Sequence, residues 1–147
     1  LMKEHGTWLV ADIWNGDYTD SVGREQKWPA DILRKNTETT ETQRVGFRKA
    51  VAAGVRIAYG TDSGVYPHGL NAKQLPYMVQ YGMTPMQAIQ SATIGAAQLM
   101  RWEDRVGSIA PGKLADLIAV EGDAMADLRS FEKVGFVMKG GVVYKGP

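Results

Sequence analysis

A single carboxylate stands at the end of a short apolar run in RIAYGTDSG, residues 56–64. Ile57, Ala58 and Tyr59 read as a β-strand, Gly60 and Thr61 as its exit, and Asp62 as the group it delivers. A strand that rises from a core with a carboxylate at its C-terminal tip is how α/β scaffolds present a reacting group. Thr61, Asp62, Ser63 and Gly64 also read as a plain turn, because Asp, Ser and Gly all favour turns. Local pattern leaves both readings open. A second set of acids, Asp12, Asp17 and Asp20, invites a metal reading. Their spacing matches no calcium loop, which needs ligands at alternate positions and a closing Glu, so an ordinary loop role is expected for them.

The flanking elements must position Asp62. Residues 1–5 read as the last turn of a helix stopped by Gly6. Residues 7–14, TWLVADIW, have the length and the branched and aromatic content of a buried strand. Residues 15–23 are dense in turn formers and read as a loop. Residues 28–54 read as two helices broken by the polar tract 36–43, with Thr40 and Gln43 as a capping box for the second. After the loop 65–70, residues 71–82 read as a helix shortened by Pro76. Thr84, Pro85 and Gln87 mark a further helix start. Met86, Ile89, Ala92, Thr93, Ala96, Leu99 and Met100 would form its core-facing stripe, with Gly95 as an interruption. From Val106 onward short strands are expected at 107–109 and 115–120, then a hairpin from Phe131 to Lys145 turning at Gly140 and Gly141.

Composition bounds the function. The chain has 147 residues, 44% hydrophobic and 22% charged, which suits a packed core rather than disorder. Its 17 basic and 16 acidic residues are interspersed and leave a net charge of +1, so no footprint for nucleic acid or an anionic membrane is expected. The absence of cysteine excludes disulfides, thiolate zinc sites and a Cys nucleophile, and fits a reducing, cytoplasmic setting. No apolar run reaches the ~18 residues of a membrane span. Leu1 opens the sequence without an initiator methionine or a signal peptide, so a piece of something longer is expected.

Three stretches together resemble the metal-dependent amidohydrolase superfamily. They are GTDSG and YPHG at residues 60–64 and 66–69, GMTPMQAIQSATIGAAQLM at 82–100, and GSIAPGKLADLIAVEGD at 107–123 with KGGVVYKG at 139–146. The nearest likeness is to the branch of Xaa-Pro dipeptidases, Lys/Arg carboxypeptidases and imidazolonepropionases. The resemblance implies an α/β chain holding the last two strands and helices of a (β/α)8 TIM barrel in residues 1–104. It implies part of a small β-sandwich in residues 105–147.

The resemblance further implies zinc or another divalent metal, a small amide or dipeptide-like substrate, and hydrolysis by metal-activated water. Asp62 matches the family's metal-binding and catalytic Asp at the end of the eighth strand. Its implied role is to bind metal, take a proton from the attacking water and pass it to the leaving amine. The family's His-x-His is absent, and the only histidines are His5 and His68. His5 is expected at the surface. His68 is read either as a substrate contact or as a loop hydrogen bond, and Tyr66 as a further pocket-lining residue. One carboxylate and one His fall short of the three protein ligands that catalytic zinc takes, so little activity is expected of this chain by itself. Unpaired strand edges and a large apolar face would favour a homo-oligomer. A non-catalytic, self-associating scaffold is the alternative.

Overall fold

In a computed structural model, residues 1–146 are described. They form two groups of strands joined by helices. The first is a parallel pair, β1 (Trp8–Ala11) and β2 (Arg56–Tyr59), in register Trp8 to Arg56 through Ala11 to Tyr59. Between them run α1 (Asn15–Glu25) and α2 (Ala30–Ala53). A 3-10 turn (Asn71–Lys73) leads into α3 (Gln74–Gln80), followed by α4 (Pro85–Ala92) and α5 (Ile94–Leu99). The second group is an antiparallel meander of β3 (Leu117–Val120), β4 (Val134–Lys139) and β5 (Val142–Lys145), with a 3-10 segment (Leu128–Glu132) before β4. The architecture is therefore mixed α/β.

Several elements depart from the expectations. Residues 1–5 form a turn rather than the end of a helix. The expected loop at 15–23 is helix α1, because its glycines serve packing rather than turning. A Cβ on Gly16 would lie 1.9 Å from Thr40 Oγ1, and one on Gly23 would lie 2.7 Å from Leu33 Cδ2. Asn36 Nδ2 closes the same crossing by donating to Gly16 O at 2.8 Å.

The expected break at 36–43 is continuous α2, so Thr40 and Gln43 form no capping box. Thr37 and Thr42 return their hydroxyls to the carbonyls four residues back, at 3.0 and 2.8 Å, and Thr40 is buried under Gly16. Their side chains thereby satisfy themselves on the helix instead of ending it. Residues 107–109 form no strand.

Local signals of other kinds hold. At α4, Gln87 N donates to Thr84 Oγ1 at 3.2 Å while Thr84 N donates to Gln87 Oε1 at 2.8 Å, a complete capping box. The interruption falls at Thr93, two residues before Gly95, with φ −121° and ψ −99°. That break changes the helix phase and undoes the expected stripe. Ala88, Ser91 and Ala97 are buried, whereas Met86, Leu99 and Met100 are exposed.

The main core joins Ala11, Ile13, Phe47, Ile57, Leu75, Met78, Met83, Ala88 and Leu128, so the 3-10 segment of the β-rich part contributes a side chain to it. At its edge a polar cluster fixes α1, α2 and α3 against the end of β1. Arg44, largely buried, donates through Nε and Nη2 to Ile13 O, both at 3.1 Å, and pairs with Asp17 at 2.8 Å. Its guanidinium lies 5.2 Å from the ring centroids of both Tyr77 and Tyr81. Tyr77 OH donates to the other Asp17 oxygen at 2.6 Å.

Burial first, and then this bond, push the Tyr77 hydroxyl up to about 12. The ordinary tyrosine value is about 10. A raised folded value means that Tyr77's contribution is complete below pH ~10 and is lost as pH rises toward ~12. Tyr77→Phe is therefore expected to flatten, in part, the alkaline loss of stability over that window, read from urea midpoints. An unchanged alkaline profile would show that the Tyr77–Asp17 bond contributes nothing there.

Candidate active site

Because β1 and β2 are parallel and in register, their C-terminal ends lie side by side, with Asp12 just beyond one and Asp62 three residues beyond the other. Asp62 is exposed and has φ +46°, a left-handed backbone. Among non-glycine residues, Asp and Asn carry that conformation most readily. The loop then folds back on itself: Val65 N donates to Asp62 O and Gly64 N to Tyr66 O, both at 3.3 Å. Among the described residues no ion pair engages the Asp62 carboxylate.

His68 is exposed, and its Nδ1 lies 3.0 Å from Ser63 Oγ, so the loop brings it against the residue next to Asp62. Tyr66 is placed differently. It is only 3% exposed and packs edge-on to Trp14, with centroids 4.5 Å apart, and to Tyr18 at 5.8 Å. Its hydroxyl is buried without a hydrogen-bond partner among the described residues. Close by, burial above all, and then the neighbouring Tyr66, push the Tyr59 hydroxyl well above the ordinary tyrosine value. His5 is exposed and precedes β1, at the opposite end of the strands from Asp62.

The other acids are engaged separately. Asp12 accepts from Asn15 Nδ2 at 2.7 Å, Asp17 binds Arg44 and Tyr77, and Asp20 pairs with Arg24 at 2.6 Å. Among the described residues no group of three His, Cys, Asp or Glu is arranged to hold a metal ion. The donor set of these residues therefore does not fit catalytic zinc, which needs three protein ligands and an open position.

Two residues that sequence reasoning passed over lie closest to the backbone of the site. Gln74, almost wholly buried, binds Ala11, Ile13 and Gly60. Asn71 binds Thr61 and Gly69. The only signal for them was the i, i+3 spacing of two carboxamides at a helix start, too common to single out.

The model of the amidohydrolase family matches residues 1–144. The chain belongs to that family. It is 38% identical to ochratoxinase of Aspergillus niger over 157 aligned positions, covering all of this chain and 31% of that protein. A solved Xaa-Pro dipeptidase with methionine bound in its active site is 44% identical, with a TM-score of 0.88 over 99% of this chain and 36% of the other. A putative prolidase from Bifidobacterium longum is 28% identical, with a TM-score of 0.85 over 96% of this chain and 36% of the other. The chain thus spans about a third of the length of the relatives it matches. Among the described residues no helix is long and apolar enough to cross a membrane.

A buried hydroxyl without a partner carries a desolvation cost of about 1–3 kcal/mol. Tyr66→Phe is therefore expected to raise stability by about 1 kcal/mol in urea unfolding while keeping the aromatic trio packed. A loss of that size instead would reveal a partner for the hydroxyl.

Proposed function

We propose that this chain supplies one carboxylate and its surrounding loop to the active site of a hydrolase that cleaves amide or peptide-like C–N bonds in small substrates. The observation that carries this reading is Asp62, exposed at the C-terminal end of a parallel strand in a chain of the amidohydrolase family. In this reading β1 and β2, with the helices around them, are the last two strands of a (β/α)8 barrel within residues 1–104. Residues 105–147 are part of a small β-sandwich.

An ionised Asp62 would accept a proton from the attacking water and return it to the departing amine, as a general base and then a general acid. His68 would meet a carbonyl or carboxylate oxygen of the substrate from the same loop. Tyr66 would form the floor under that loop. The similarity to a Xaa-Pro dipeptidase supports a dipeptide-like substrate. Because the described residues do not complete a metal site, zinc-dependent catalysis would need ligands from outside these 147 residues.

Isothermal titration of the purified chain with zinc is expected to show no tight stoichiometric binding, and an Xaa-Pro dipeptide is expected to remain uncleaved. Tight binding together with turnover would overturn the composite-site reading. In a form of the protein that carries the remaining barrel strands, Asp62→Asn is expected to lower kcat by about 10²–10⁴-fold. Asn tolerates the same left-handed backbone, so stability should change by less than about 0.5 kcal/mol. Retained turnover in that variant would remove Asp62 from the mechanism.

A second reading, a self-associating scaffold without catalysis, is favoured by a different observation. Val10 on β1 is 52% exposed, and among the described residues each strand of the parallel pair has one neighbour only. Open edges and apolar faces promote pairing between copies. Sedimentation at micromolar concentration is expected to find a monodisperse homo-oligomer if this reading holds. A stable monomer would discard it.

A further inference from the structure

The strand ladder ends before the site begins. The last paired residues are Ala11 on β1 and Tyr59 on β2, so Ile13 N and Gly60 O lie beyond the ladder and Ala11 O at its end, and each takes a side-chain partner. One side chain supplies all three. Gln74 Oε1 accepts from Ile13 N at 2.9 Å, while its Nε2 donates to Ala11 O at 2.8 Å and also to Gly60 O. This network fixes the orientation of the amide. Reversing it would set an oxygen against two carbonyls and an NH2 against an N–H. Glutamate lacks the donors, and asparagine is one methylene too short to span the same three groups from this position.

Three residues earlier, Asn71 does the complementary work. Its Nδ2 donates to Thr61 Oγ1 at 3.1 Å and its Oδ1 accepts from Gly69 N at 3.1 Å. Its backbone carbonyl accepts from Tyr59 OH. One helical turn, Asn71 to Gln74, therefore grips the chain at residues 59, 60 and 61 before Asp62 and at residue 69 after it. Asp62 has a left-handed backbone and an exposed side chain, so its location is set by these anchors on its neighbours rather than by contacts of its own carboxylate.

We infer that Gln74 and Asn71 are positioning residues that hold Asp62 at the strand end: Gln74 by joining the two strand tips, Asn71 by closing the base of the loop. The reactive role of Asp62 rests on the proposed function above. Its placement by the two carboxamides is tested without turnover, so the two fail separately.

The test uses amide chemical shifts and hydrogen exchange in the 15N-labelled 147-residue chain. Gln74→Met keeps the length and apolar volume but removes all three bonds. It is expected to speed exchange at Ile13 at least tenfold relative to Leu9 in the same strand, and to move or split the Thr61, Asp62 and Ser63 amide signals. Asn71→Asp keeps the acceptor for Gly69 and replaces the donor to Thr61 by an acceptor, so the Thr61 hydroxyl must turn to donate. The Gly69 amide should then stay protected while the Thr61 and Asp62 signals move.

Phe47→Leu, a change in the shared apolar core that removes none of the carboxamide bonds, serves as the control for stability alone. It should lower the melting temperature and leave Thr61 to Ser63 where they are. Unmoved Thr61 to Ser63 signals in both carboxamide variants, or the same movement in Phe47→Leu, would overturn the inference. If Gln74→Met does not fold, Asn71→Asp decides it by the contrast between Thr61 and Gly69.

Discussion

The end of a parallel strand pair is a place where backbone groups lose their partners just as the chain leaves the sheet. Here a single buried carboxamide, on Gln74, takes over from the ladder. An unpaired buried N–H or C=O costs roughly as much as a hydrogen bond contributes, so the buried groups of Ala11 and Ile13 are stabilised by it. The site's geometry depends on this substitution of side chain for strand. It lets β1 and β2 stop at Ala11 and Tyr59, keeps their exits together, and frees the following residues to form a loop rather than more sheet.

A second polar cluster secures the other side of β1. Arg44 covers Ile13 O from α2, while Asp17 from α1 and Tyr77 from α3 meet around its guanidinium. Ile13 is thus held at both backbone groups, its N–H by Gln74 and its carbonyl by Arg44. Charge in this position is tolerable because Arg44 is shared among a carbonyl, a carboxylate and two aromatic faces, which offsets its desolvation. Polar contacts, not apolar packing alone, therefore define where the helices sit relative to the strand tips.

What the sequence disclosed follows from the range over which each signal acts. The Thr84 capping box was legible because all its atoms lie within four residues. The strand leading to Asp62 was legible for the same reason, and the family likeness rested on motifs spread from residue 60 to 146. Helix α1 was misread because Gly16 and Gly23 look like turn residues until Thr40, Leu33 and Trp28 are brought against them. The polar run in α2 hid its helicity, since threonines that satisfy themselves on preceding carbonyls resemble threonines that cap. Gln74 was invisible for a deeper reason: its partners lie 14, 61 and 63 residues away, and nothing local marks a glutamine as buried.

The aromatic trio beneath the loop also has an optical side. Trp14 is 7% exposed, its indole edge-on to Tyr66, with Lys73 Nζ 5.9 Å from its ring. The other three tryptophans, Trp8, Trp28 and Trp102, are all more open to water. The blue end of the emission is therefore expected from Trp14, the most buried of the four, whose indole lies against Tyr66 of the Asp62 loop. Any displacement of Tyr66 would admit water to that indole and shift its emission to the red, so the protein carries a built-in fluorophore for the loop that presents its carboxylate.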